Sequence, residues 1–229
     1  VFTKPSTDDE PAKVIHMMVN PFSGKKRGEK IAEQAKIMFE NKSITVNTFV
    51  SSFSGELIDL TANLETKESD IIAVVGGDGS LSEVITGLMQ SGKSCRIGLI
   101  PAGTGNSMAN DLRIKSTEDA VARICAGHYQ MLDLAKVDMV AGLPGSEGGE
   151  LTRYSANLVT WGLGVDSTIK AEKMRWMGPI RYDVGILMAI MANNRRHATL
   201  TLDGHKLEND FTLFLIQNSQ TGGSLLPLA

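Results

Sequence analysis

Residues 70–83 read Asp70-Ile-Ile-Ala-Val-Val-Gly-Gly-Asp-Gly-Ser-Leu-Ser-Glu83. The run 70–75 is short, apolar after its first residue and rich in β-branched side chains. That pattern predicts a strand buried on both faces, the kind found in parallel sheets covered by helices. Gly76-Gly-Asp-Gly79 breaks the run, and helical spacing takes over across 82–90. A strand, a glycine-rich turn and a helix in that order form one βα unit.

Working outward, the same unit recurs on both sides. Residues 14–19 have a buried-strand pattern that ends in the turn signal Asn20-Pro21, and 28–41 carry Ile31, Ala35, Met38 and Phe39 at helical spacing. The β-branched run 44–50 predicts a strand, 56–64 a helix, 96–100 a second buried strand and 117–126 a helix. This alternation over 13–127 predicts an α/β fold with a parallel sheet between helices. Past Asp133 the pattern changes. Residues 153–161, 197–203 and 211–217 read as strands of an antiparallel sheet, with Asp203-Gly204 as a tight turn, 142–150 as a hairpin-like loop and 179–193 as one helical stretch. The expected organisation is a disordered lead-in over 1–12, an α/β domain over 13–135 and the first part of a mostly antiparallel β domain over 136–229. Val1 in place of Met and the broken-off look of 225–229 point to a piece of a longer chain.

Composition narrows the function classes. The 229 residues are 42% hydrophobic and 21% charged, with a net charge of −3, so no basic field exists to hold nucleic acid. The apolar stretch 185–192 is far short of the ~20 residues a bilayer span needs. Two cysteines, Cys95 and Cys125, make neither a disulfide framework nor a thiolate zinc site and suit a reducing, cytoplasmic setting.

In open parallel sheets ligands bind beyond the carboxyl ends of the strands, which singles out the loops after 19, 75 and 100. All three suit phosphate. Asn20-Pro-Phe-Ser-Gly-Lys-Lys26 has a glycine for close approach and two lysines for charge; Gly76-Gly-Asp-Gly79 and Pro101-Ala-Gly-Thr-Gly-Asn106 follow the next two buried strands. Glycines after strands also make plain turns, but three such loops at one sheet edge point to a ligand. A carboxylate among phosphates is repelled unless it holds Mg²⁺ or takes a proton, so Asp78 is the candidate catalytic residue. Gly87-Leu-Met-Gln-Ser-Gly-Lys-Ser94 matches a phosphate-loop spacing letter for letter, yet a helix precedes it and a strand follows. That is the reverse of the required order, and it sets the match at the opposite sheet edge.

Asn20-Pro-x-Ser-Gly24, Gly76-Gly-Asp-Gly79 with Glu83, and Pro101-x-Gly-Thr-Gly-Asn106 together resemble the catalytic domain of the diacylglycerol kinase and sphingosine kinase superfamily, of which NAD kinases are distant relatives. The resemblance implies an ATP-dependent lipid phosphotransferase using Mg²⁺, with a nucleotide-binding α/β domain and a β-rich lipid-binding domain. It places Asn20, Ser23, Gly24, Ser51, Gly76, Gly77, Gly79, Glu83, Gly103, Thr104, Gly105 and Asn106 on the nucleotide. Asp78 becomes the catalytic or Mg²⁺-linked carboxylate, and Asp133 a second acid acting on the metal through water. A lipid substrate further implies transient, peripheral contact with a membrane surface. Within the superfamily, Ser107 replaces the Asp of many bacterial diacylglycerol kinases, and the segment from Trp161 through Asp166 to Gly178 and Arg181 resembles the sphingosine kinase branch. There the matching acid, Asp166, would recognise the head of a sphingoid base through charge-assisted hydrogen bonds, though an N-cap role is its plainer alternative. Ser80 after Gly76–Gly79 is more typical of diacylglycerol kinases. The expected reaction is phosphorylation of a sphingoid long-chain base. The alternatives are a diacylglycerol or ceramide kinase, an NAD kinase, and a non-catalytic nucleotide or lipid sensor. Met174, Met177, Ile186, Leu187, Met188, Ile190 and Met191 suit either an acyl-chain pocket or plain core, and His16, His128, His197 and His205 read as structural or surface residues.

Overall fold

A computed structural model describes residues 14–127, 129–140 and 149–219. The expected lead-in, His128 and most of the 142–150 loop lie outside them. Four strands, β1 (Val14–Val19), β2 (Thr45–Val50), β3 (Ile71–Gly76) and β4 (Arg96–Pro101), form a parallel sheet in the order β2-β1-β3-β4. The period-two rule sorts its side chains. Ile15, Met17 and Val19 with Ile71, Ala73 and Val75 face one layer, made by α2 (Gly28–Glu40) and α6 (Thr117–Ala126). Met18, Ile72 and Val74 face the other, made by α3 (Glu56–Ala62) and α4 (Asp78–Ser91). Phe39, Ile15, Leu57, Ile72 and Ile100 are fully buried, and each such side chain contributes about 1.5–3 kcal/mol of transfer free energy.

Two short turns complete the carboxyl edge: α1 (Ser23–Lys26) after β1, and α5 (Ser107–Asp111) after β4. The order 2-1-3-4 reverses direction between β1 and β3, so the crevice characteristic of such sheets opens between the loops after Val19 and Gly76. Helix α4 starts at Asp78, four residues before the apolar spacing announces it. Its first turn holds glycine and polar residues whose amides need no helical partner.

Beyond the sheet, β5 (Ala135–Val140) pairs antiparallel with β6 (Glu150–Ser155) and packs against α4, where Ser82 Oγ donates to the Tyr154 carbonyl at 2.9 Å. The run expected as one strand over 153–161 is two. At Ala156–Asn157 the chain leaves β5 as partner, and β7 (Leu158–Gly162) pairs instead with β10 (Leu213–Gln217). Helix α7 (Leu163–Lys173), which the sequence pattern did not reveal, buries Ser167 and Ala171, a face of small residues that apolar periodicity does not register. A 3-10 turn (Arg175–Ile180) leads into α8 (Arg181–Ala192), matching the expected helical stretch. Strands β8 (Arg196–Leu202) and β9 (His205–Phe211) form a hairpin about Asp203 (φ 48°) and Gly204 (φ 83°), the left-handed pair of a type I′ turn. Strand β9 escaped notice because it is polar and exposed almost throughout.

The described residues gather into two compact units, 14–157 with 218–219, and 158–217. The first includes β5, which begins at the boundary expected after residue 135, and β6, which follows it. Most long apolar side chains of α8 are not core: Leu187, Met188, Ile190 and Met191 are exposed, while Ala189 is buried and Gly185 makes the close contact with α7. No helix among the described residues is long and apolar enough to cross a membrane.

Candidate active site

The loop after β1 is folded by Asn20. Its Oδ1 accepts from the Phe22 amide at 3.0 Å, its carbonyl accepts from the Ser23 amide at 3.2 Å, and its Nδ2 donates to Ser80 Oγ at 3.1 Å across the switch point. Gly24, Lys25 and Lys26 then wind left-handed, with φ of 53°, 65° and 64°. Only glycine suits the first of these positions. A methyl group on Gly24 would stand 2.2 Å from the Ala102 carbonyl oxygen, so the loop after β1 lies directly on the loop after β4. The two lysines adopt the same conformation at a cost in strain, a feature concentrated at ligand-binding sites.

The other two loops touch through backbone. A Cβ on Gly103 would lie 2.6 Å from Gly77 Cα, and Ala102 N donates to the Gly76 carbonyl at 2.8 Å. Asn106, itself left-handed at φ 51°, closes its loop by accepting from Gly103 N at 2.9 Å and donating to Gly103 O at 3.0 Å. Thr104 is exposed beyond this lock. Asp78, in the first turn of α4, accepts from Ser107 N at 2.9 Å, Met108 N at 3.0 Å and Asn157 Nδ2 at 2.9 Å. Its carboxylate therefore ties the second loop to the third.

The remaining sequence-predicted positions separate into two groups. Ser51 is buried at the end of β2, with its amide and hydroxyl both on the Val19 carbonyl, at the same sheet edge as the three loops. Glu83 accepts from Gly55 N at 3.0 Å and so pins the 51–55 segment, which Glu56 braces from the other side by accepting from the Ser52 amide. Asp133 is exposed, and its carbonyl accepts from Asn218 Nδ2 at 2.6 Å. Among the described residues no three His, Cys, Asp or Glu side chains converge as a metal cage.

Asp166 belongs to the second unit, in the first turn of α7. It does not cap that helix; both its oxygens accept from Arg196 Nη2, at 2.8 and 3.0 Å. The Arg196 hydrogen bond holds the Asp166 carboxyl below the usual carboxylate range. The guanidinium also lies 6.0 Å from the Trp161 ring centroid.

One residue escaped the sequence reading. Asn157 is the side chain that reaches Asp78, and the Asn218 amide holds it by donating to the Asn157 carbonyl at 2.7 Å. The available signal was an Asn inside a run otherwise suited to a strand. A cavity of about 510 Å³ runs along β2 and α3 past His16, Asn47 and Phe49 and includes none of the three loops. A polar cavity of about 380 Å³ lies behind the third loop, between Arg27, Gly103, Asn106 and Lys115.

Comparison with known proteins bears on the fold and the family. The chain is 30% identical over 201 residues to sphingosine kinase 1 of Arabidopsis thaliana, covering 83% of this chain and 39% of that protein. It is 24% identical over 213 residues to a diacylglycerol kinase of Staphylococcus carnosus, covering 92% and 66%. A crystal structure of a diacylglycerol kinase from Bacillus anthracis superposes with a TM-score of 0.63 at 19% identity, over 96% of this chain and 68% of that one. The chain thus spans about two fifths of the plant relative it matches. Residues 14–137, which carry the sheet, the three loops and Asp78, match the diacylglycerol kinase catalytic domain, and the chain belongs to that family.

Proposed function

We propose that the edge built by the three loops binds the phosphates of ATP, and that the protein to which this chain belongs transfers the terminal phosphoryl group to the primary hydroxyl of a sphingoid long-chain base. The observation that carries this reading is the meeting of three glycine-bearing loops around one carboxylate at the switch point of the sheet. Asn20, Ser23, Gly24, Gly76, Gly77 and Gly79, with Gly103, Thr104 and Gly105, supply amides and hydroxyls to the phosphates. Asn106 keeps the third loop in shape, and Ser51 and Glu83 shape the neighbouring edge.

Phosphoryl transfer asks a protein for positioning and charge neutralisation more than covalent chemistry. The donor set fits Mg²⁺, which keeps several waters and binds through one or two carboxylates plus substrate phosphates, so a protein cage is not required. Asp78 would hold it, with Asp133 acting through water, and the ion would neutralise charge on the phosphoryl group. Asp78 has one acceptor position open after its three hydrogen bonds. That position suits the proton of an attacking hydroxyl or a metal-bound water.

The sphingoid reading is supported by Ser107 after Asn106, by the Trp161–Asp166 segment and by the likeness to the plant sphingosine kinase. Asp166 would recognise a cationic head group in exchange for Arg196. A diacylglycerol substrate is the second reading. Ser80 and the 92% coverage by the Staphylococcus relative favour it, and an Asp166 already paired to Arg196 needs no cationic lipid. Either lipid implies transient contact with a membrane surface.

The test supplies Mg·ATP with sphingosine, ceramide and diacylglycerol in mixed micelles and reads products by mass spectrometry. A phosphorylated sphingoid base is expected, reduced at least about a hundredfold in Asp78→Asn. Phosphatidic acid instead establishes the second reading. Full turnover by Asp78→Asn contradicts the role given to that residue.

A further inference from the structure

A carboxylate offers about four acceptor positions, two on each oxygen. On Asp78, Oδ1 takes the Met108 amide at 3.0 Å and Asn157 Nδ2 at 2.9 Å, while Oδ2 takes the Ser107 amide at 2.9 Å. Oδ1 is therefore saturated and Oδ2 keeps one position. The two amides arrive with the turn after β4, within the stretch that matches the catalytic domain. Asn157 lies outside that stretch, and among the described residues it is the one side chain that donates to Asp78. Its amide orientation is chemically forced, since an ionised carboxylate accepts and cannot donate.

Asn157 is itself held. Its carbonyl accepts from Asn218 N at 2.7 Å, and Asn218 Nδ2 donates to the carbonyls of Ala156 at 3.1 Å and Asp133 at 2.6 Å. These two asparagines are where the chain leaves the first unit and re-enters it. A flexible side chain would gain nothing from such support. A residue whose task is to fix the rotation of a carboxylate needs it, because small misplacements in a reacting geometry cost large factors in rate.

We infer that Asn157 is a positioning residue for phosphoryl transfer: it fills the last acceptor position on Asp78 Oδ1 and leaves Oδ2 as the one oxygen open to a hydroxyl proton or a metal-bound water. This rests on Asp78 being the reacting carboxylate. The arrangement has a chemical signature that packing alone does not share. An aspartate at 157 keeps the shape and sets two carboxylates face to face. Its carboxylate cannot donate, so it repels Asp78 Oδ1 where Asn157 holds it.

The test is steady-state lipid phosphorylation by the wild type, Asn157→Ala and Asn157→Asp, with thermal melts confirming that each variant is folded. Asn157→Ala is expected to lower kcat about 10–100-fold with KM for ATP held within about threefold. Asn157→Asp, which keeps the shape but cannot donate, is expected to be at least as impaired as Asn157→Ala. Alongside, the Asn157 side-chain amide protons should exchange slowly with solvent by NMR, and quickly in Asp78→Ala. Asn157→Ala or Asn157→Asp with a kcat within twofold of wild type overturns the inference while leaving the kinase reading intact. A folded wild type that phosphorylates no lipid refutes the kinase reading, and the catalytic role of Asn157 falls with it.

Discussion

Asp78 is committed before any substrate arrives, because three donors from two other segments already fix it. Asn106 likewise spends both polar atoms inside its own loop. These side chains thus organise backbone, and in the proposed reading the glycines offer that backbone to the nucleotide. Gly103→Ala tests this directly. Its methyl group would stand 2.6 Å from Gly77 Cα and force the second and third loops apart, so affinity for Mg·ADP should fall tenfold or more, which calorimetry would read. The candidate residues within 14–137 were legible because short glycine motifs carry their chemistry in the sequence itself. Asn157 was not, because its meaning depends on which strand ends beside it. A buried carboxylate, Asp70, supports the fold away from the site. Burial pushes Asp70 up, but the Lys67 amide and His16, 3.2 Å away, outweigh it and hold the carboxyl below its ordinary value. Asp70→Asn should cost about 1–3 kcal/mol at pH 7. A depressed folded value means this stability is present above about pH 4 and is lost as pH falls further, so acid melts of wild type and variant should converge.

At the scale of elements, the Gly87–Ser94 segment shows why spacing alone misleads. Gly87 sits inside α4, where a methyl group would lie 2.3 Å from the Ile58 carbonyl oxygen of α3, and its task is close helix packing. Lys93 donates to the Ala62 and Leu64 carbonyls at 3.1 and 2.7 Å, satisfying the free end of α3. Gly87→Ala should therefore lower stability by about 1–3 kcal/mol in denaturant melts, with Mg·ADP affinity of the folded protein unchanged. In the parallel half the four strands and the longer helices were readable, because β1, β3 and β4 are largely apolar runs, β2 is rich in β-branched residues and the helices repeat apolar residues at helical spacing. The short turns α1 and α5 carry no such pattern. The antiparallel half was readable only in part. Helix α7 buries small side chains, β9 is exposed on both faces, and the 153–161 run hides a change of partner that no local pattern marks.

For the whole molecule, the sheet order decides where the chemistry sits. Because β1 and β3 are neighbours whose connections run in opposite directions, the loops with Asn20 and Asp78 must share one crevice, and β4 brings the third loop against them. In the proposed reading this edge, and not the opposite one with its phosphate-loop spacing, holds the nucleotide. Calorimetric titration of Mg·ADP into the wild type, Gly103→Val and Lys93→Ala decides it. Binding to the wild type is expected, with the same affinity within about twofold in Lys93→Ala and no detectable binding in Gly103→Val. Binding that survives Gly103→Val and disappears in Lys93→Ala would contradict it.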